Sequence, residues 1–152
     1  MSAGLLSESV LMSSAAQARF RVQAPNSLPR AIKVVALDPA GEAVVRRLAV
    51  SDWRHAAFFS VATFTRDLEA QVASADLVVM VAGPGGRAEA AAVIGRACSD
   101  RRVTTTALVV DAASAPEEEL ARTLVQIRPW SLMVVIANSD EYVEDLLVAL
   151  RA

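Results

Sequence analysis

The sequence DLVVMVAGPGGRAEAAAVIG, residues 76–95, is the segment that most clearly indicates the fold class. Residues 77–82 form an unbroken apolar run with three valines, which is too short for a helix. A strand inside a parallel sheet has this pattern, because helices cover both of its faces. The glycine loop, residues 83–86, ends the strand, and residues 87–98 continue with a helical period. The glycines are therefore expected at a strand-to-helix turn, on the edge where open α/β sheets bind ligands.

Four further segments have the composition of strands, and a helical pattern follows each of them: residues 31–37, 56–62, 103–110 and 132–137. Five strands that alternate with five helices through short loops predict a three-layer α/β sandwich with a mostly parallel, five-stranded sheet. The apolar pattern does not determine the order of the strands. A Rossmann-like order 3-2-1-4-5 is preferred, and a flavodoxin-like order 2-1-3-4-5 is the alternative.

The starts of the helices are predicted from capping residues and from turn-forming residues between the segments. The first helix is expected over residues 42–50, and the second is expected to begin near Thr65. Ser114 and Glu117 have the spacing of a capping box ahead of an apolar stripe. Residues 138–141 are expected to cap the last helix.

Length and composition indicate one α/β domain over residues 31–152. The formal net charge of −2 provides no global field for nucleic acid or for an acidic membrane. No apolar run approaches the ~20 residues of a membrane span. Cys98 is the single cysteine and cannot form an internal disulfide, so we expect a reducing, cytoplasmic compartment.

Residues 1–30 are interpreted as a partly structured amino-terminal leader. They are rich in Ser, Ala and Gln, and residues 19–23 alternate like an edge strand. Their apolar side chains exceed what a solvated tail needs, and large exposed apolar patches mark interfaces. We therefore expect a homodimer in which residues 4–22 pack at the subunit boundary.

Three segments together resemble the amino-terminal GTPase domain of the FtsZ/tubulin family. Residues 31–48 resemble its opening strand and glycine-rich first loop, and residues 75–95 resemble its tubulin-signature loop. Residues 132–147 resemble the strand that ends in an Asn-Asp pair. The resemblance implies a nucleotide site, and its candidate ligand-binding residues are Asp38, Gly41, Gly83, Gly85, Gly86, Arg87, Asn138 and Asp140.

Two departures from that family argue against GTPase chemistry. Ala36 and Asp38 stand where a G-x-G-x-x-G pattern has its first two glycines, and Asp38 would put a carboxylate beside a phosphate. The signature loop is shortened to residues 87–89, which places Glu89 at the positive end of the helix dipole. We therefore expect a non-catalytic binding or regulatory module. The alternative function is binding of GTP or another phosphate ligand through the glycine loop, with Arg87 supplying positive charge. If the protein is an enzyme, we expect a nucleotide hydrolase.

No catalytic residue, metal site or cofactor is predicted. His55 is the only histidine, and no nucleophile motif is present. Asp38, Asp111 and Asp140 each follow a predicted strand and could meet around Mg²⁺, but caps and turns account for each separately. The expected partners are a second copy of the chain, another protein or a small phosphate ligand, and neither nucleic acid nor membrane.

Overall fold

Five parallel strands form one sheet in a computed structural model, which describes residues 31–86, 88–150 and 152. The strands are β1 (Ile32–Ala36), β2 (Ala56–Ser60), β3 (Leu77–Ala82), β4 (Thr104–Val110) and β5 (Met133–Ala137). All four neighbouring pairs are parallel. Each strand lies within two residues of its predicted bounds, and the predicted α/β class is confirmed.

The strand order is β2-β1-β3-β4-β5, which is the flavodoxin-like alternative and differs from the preferred order. Every residue of β3 is buried. A fully buried strand lies in the interior of a sheet, where helices cover its two faces and other strands pair with its two edges. The strands that pair with β3 are β1 and β4. The order 3-2-1-4-5 would have placed this strand at an edge of the sheet.

Helices cover both faces of the sheet. They are α1 (Pro39–Leu48), α2 (Val61–Arg66), α3 (Leu68–Ala73), α4 (Ala90–Asp100), α5 (Glu117–Ile127) and α6 (Asp140–Ala149). Val78 and Met80 of β3 point into the core beneath α2 to α5, whereas Val79 and Val81 point into the core beneath α1 and α6. Alternation along one strand therefore supplies both hydrophobic cores.

Three helix starts differ from the predictions. Helix α1 begins at Pro39, because Asp38 caps it and proline at the first helical position has a suitable φ. The second predicted helix begins at Val61 and is interrupted at Asp67, whose backbone leaves the helical region. The predicted capping box is wrong, because the Ser114 hydroxyl donates to the Asp111 carbonyl and Pro116 precedes α5.

The start of the last helix is confirmed, and a short turn connects α5 to β5. The Ser139 hydroxyl caps α6 by accepting from the Tyr142 N–H. After α5, a 3-10 turn, Arg128–Trp130, places Trp130 against Gly95 of α4. The Arg96 guanidinium lies 5.3 Å from the centre of the Trp130 ring.

Cys98 lies fully buried on α4, and burial raises the pKa of its thiol to about 11. Compared with the ordinary value of 9.0, this means ~100-fold less thiolate at neutral pH. We expect iodoacetamide to modify Cys98 at least ~100-fold more slowly in the native protein than in urea. Mass spectrometry against time measures both rates. Equal rates would contradict the buried position of Cys98.

Candidate functional site

The carboxylate of Asp38 lies between the start of α1 and the glycine loop. Its Oδ1 accepts from the Gly41 N–H at 2.8 Å, and its Oδ2 accepts from the Gly83 N–H at 2.9 Å. The side chain is only 5% exposed. Backbone N–H groups at a helix start and in a glycine turn are the donors that phosphate sites use. The carboxylate of Asp38 therefore takes up donors that a bound phosphate would need.

The pKa of Asp38 is raised above its ordinary value. Burial is the main cause, because a carboxylate loses solvation there. The hydrogen bonds from Gly41 and Gly83 lower the pKa, and the nearby charge of Glu42 raises it. Because these effects together raise the pKa, a negative charge is already unfavourable at this position. A bound anion would add repulsion between like charges.

Side chains of α5 accept hydrogen bonds from two further N–H groups of this turn. The Gly85 N–H donates to Thr123 Oγ1 at 3.0 Å, and the Ala88 N–H donates to Gln126 Oε1 at 3.2 Å. Thr123 is fully buried, and its hydroxyl donates to the Gly83 carbonyl at 3.4 Å. The protein itself therefore holds the glycine loop closed against α5.

Sequence reasoning missed Thr123 and Gln126. The available signal is that Thr123 lies among Leu120, Leu124 and Ile127 on the buried side of α5. A polar residue in a buried stripe needs a hydrogen-bond partner. The loop that supplies this partner lies 40 residues earlier in the chain, so the sequence alone does not identify it.

The glycines of this region are required by the packing of the chain itself. Gly85 has a φ of +77°, which side-chain-bearing residues rarely adopt. A Cβ atom on Gly83 would approach the Ala40 side chain to 2.5 Å. A Cβ atom on Gly86 would collide with the Asp38 carboxylate, and one on Gly41 would collide with the Val81 carbonyl.

Five of the eight predicted site residues meet at this edge of the sheet: Asp38, Gly41, Gly83, Gly85 and Gly86. Asn138 is exposed at the end of β5, and β4 separates that strand from β3. Arg87 and the side chain of Asp140 lie outside the described part of the chain. Asp111 is exposed at the end of β4 in a left-handed conformation, φ 55°, directly before a second 3-10 turn, Ala112–Ser114.

Two cavities adjoin the glycine loop. One, of about 510 Å³, lies between the start of α1 and the ends of β1 and β2, and Asp38 and Glu42 line it. The other, of about 650 Å³, lies beside α5 and is lined by Glu89, Glu118 and Arg122. Carboxylates line both cavities, which disfavours a polyphosphate at either position.

The remaining site chemistry concerns metals and membranes. Among the described residues, no group of three His, Cys, Asp or Glu side chains could hold a metal ion. No helix in the same part of the chain has the length and apolar character needed to cross a bilayer.

Comparison of the chain with protein-family models and with curated proteins finds no match. Neither comparison tests the resemblance to the FtsZ/tubulin family, which stays a prediction.

Proposed function

We propose that this chain is a non-catalytic binding or regulatory α/β module derived from a nucleotide-binding fold. The observation that carries the proposal is the buried carboxylate of Asp38, which accepts hydrogen bonds from the Gly41 and Gly83 N–H groups. These donors have a permanent intramolecular acceptor. A phosphate could replace it only by breaking both bonds and by approaching a like charge.

The contacts of α5 support the same conclusion. Thr123 and Gln126 accept from two further N–H groups, at Gly85 and Ala88. A nucleotide would have to displace these side chains as well. The FtsZ/tubulin family supplies the proposed ancestor, in which such a turn faces a nucleotide.

The alternative function is binding of GTP or another phosphate ligand through Gly83 to Gly86, with Arg87 supplying positive charge. Its support is the position of the turn. The strand order reverses between β1 and β3, and open α/β sheets bind ligands beside such a reversal. The cavity of about 510 Å³ at this position is within the range of small-molecule sites.

Titration calorimetry separates these two functions. We expect no saturable heat when GTP or ATP with Mg²⁺, or inorganic phosphate, is added to ~100 µM protein, which places any Kd above ~1 mM. The variant Asp38→Asn should also fail to bind, because its amide still fills the position without the charge. Micromolar binding by the unchanged protein would contradict the proposal and support the alternative, and Arg87→Ala should then weaken that binding.

The cellular compartment and the binding partners of the module are proposed from the chemistry of its residues. A lone buried thiol at Cys98 suits the reducing cytoplasm. A homodimer is proposed, with a second protein as a further partner, whereas a small phosphate ligand is the partner in the alternative function. The contribution predicted for residues 4–22 lies outside the described residues.

A further inference from the structure

Among the described residues, strand β5 forms one edge of the sheet, and apolar side chains on β5 and directly before it are exposed to solvent. Leu132, Met133 and Ile136 are 80%, 43% and 45% exposed. Residues 129–137 contain no charged side chain. Edge strands are usually protected by charges, bulges or a covering element, because their unpaired N–H and C=O groups accept another strand. Strand β5 has no charge that would prevent such pairing.

The position of α5 explains why part of this edge is uncovered. Thr123 and Gln126 hold α5 toward the glycine loop, away from the edge. Val134 packs in the core beneath α5, but Ile136, two residues along the same face of β5, is half exposed. On the other face, Tyr142 near the start of α6 is 49% exposed.

We propose that a second copy of this chain covers the edge, with the two β5 strands paired antiparallel about a two-fold axis near Val135. A symmetric edge-to-edge contact reverses the strand direction, so the central pair is antiparallel. The two five-stranded sheets then form one continuous sheet of ten strands. The pairing satisfies the open backbone groups of β5 and removes Met133 and Ile136 from water.

Charge complementarity on α5 supports a second copy as the occupant. Glu117 begins α5 and Arg128 directly follows its last residue, and both are exposed. Eleven residues correspond to about three helical turns, so the two side chains lie on one line along the helix. Glu119 and Gln126 lie on the opposite side, where they face the glycine loop and its following turn. Glu117 and Arg128 therefore lie on the β5 side.

An antiparallel pair of chains brings unlike charges together at this line. The start of α5 in one copy lies beside the end of α5 in the other, so Glu117 faces the second copy's Arg128. The two-fold axis repeats the contact, giving two equivalent ion pairs. A parallel arrangement would instead put Glu117 beside Glu117, which is repulsive.

The opposite edge of the sheet is less suited to this contact. In β2, the Phe58 ring packs 6.0 Å from the Trp53 ring, and the Phe59 ring packs 5.3 Å from the Phe64 ring. Both phenylalanines are already partly buried in the cores. The β2 edge therefore exposes less large apolar surface than the β5 edge.

Light scattering of the full chain at ~100 µM tests the contact, because dimer formation depends on concentration. We expect twice the chain mass of 16.1 kDa. Ile136→Lys introduces an edge charge and should give the monomer mass. Val50→Lys is the matched control, since Val50 is 85% exposed away from β5, and it should stay dimeric. A monomeric unchanged protein, or a dimeric Ile136→Lys variant, overturns the proposal.

A charge exchange tests the arrangement without changing β5. Glu117→Arg alone and Arg128→Glu alone should each raise the dimer dissociation constant about tenfold, because two symmetric contacts become repulsive. The double variant should restore the original value. A double variant as weak as the single variants overturns the proposal.

Discussion

We expect Asp38→Ala to lower the free energy of unfolding by ~2–4 kcal/mol, because it leaves two buried backbone donors without an acceptor. The donors are the Gly41 N–H at the start of α1 and the Gly83 N–H in the glycine loop. Removing a buried carboxylate offsets part of the loss, since burial already disfavours its charge. Urea unfolding followed by circular dichroism measures the difference.

Asp38→Asn is the matched comparison. Its amide oxygen can accept from the Gly41 N–H and, at the longer 3.2 Å, from the Gly83 N–H, but its NH2 group replaces the Oδ2 that accepts from Gly83 at 2.9 Å. Asp38→Asn should therefore lose ~1–2 kcal/mol, less than Asp38→Ala. The pKa of Asp38 is raised in the folded state, so the folded protein holds this proton more tightly than the unfolded chain does. Protonated Asp38 therefore contributes to the free energy of unfolding. This contribution is fully present below the unfolded pKa of about 3.9 and is lost as the pH rises through the folded pKa.

The pH dependence therefore distinguishes the carboxylate from its amide replacement. From about pH 4 upward, the unchanged protein should lose stability relative to Asp38→Asn until Asp38 is ionised in the folded state. Unfolding curves of both proteins across this range provide the comparison. An Asp38→Ala variant as stable as the unchanged protein would show that these hydrogen bonds contribute nothing.

Gly41→Ala should destabilise the fold by ~2–3 kcal/mol, because the new Cβ atom would collide with the backbone carbonyl of Val81. Val81 belongs to the central strand β3 and is paired on both sides, so its carbonyl cannot move aside. The higher helix propensity of alanine offsets at most ~1 kcal/mol of this loss in stability. Thermal and urea unfolding should both report the loss.

Gly95→Ala provides the comparison for this prediction. A Cβ atom on Gly95 would collide with the Cβ atom of Trp130, which is attached to the 3-10 turn after α5. This turn is not part of a central strand, so it can move more easily than Val81, and Gly95→Ala should destabilise the fold by ~1–2 kcal/mol, less than Gly41→Ala. Equal losses for Gly41→Ala and Gly95→Ala would show that the position of Val81 in β3 does not make its carbonyl a harder obstacle.

The strands could be predicted because their apolar runs reflect local burial. The bounds of β3 match residues 77–82, since burial on both faces leaves an unbroken run with glycine directly after it. Strand order depends on which strands meet, and the period of the pattern contains no information about neighbours. The fully apolar character of β3 still argued for a central position, which only the order 2-1-3-4-5 provides.

The candidate site was predicted in its location and only partly in its contacts. Asp38 and the glycine loop could be placed together, because both follow strands of a parallel sheet and the carboxyl ends of such strands share one edge. The acceptors Thr123 and Gln126 could not be placed. They lie on α5, and contacts between distant segments depend on how a helix is positioned over the sheet.

The central position of β3 also affects the order in which the chain can assemble. Strand β1 pairs with β2 on one side and with β3 on the other. Gly83, directly after β3, lies 45 positions after Asp38, and a segment of that length takes ~2–9 s to synthesise. Until β3 leaves the ribosome, the inner edge of β1 has no native partner. The nascent chain therefore exposes an apolar strand edge during translation, and completion of β3 ends that exposure.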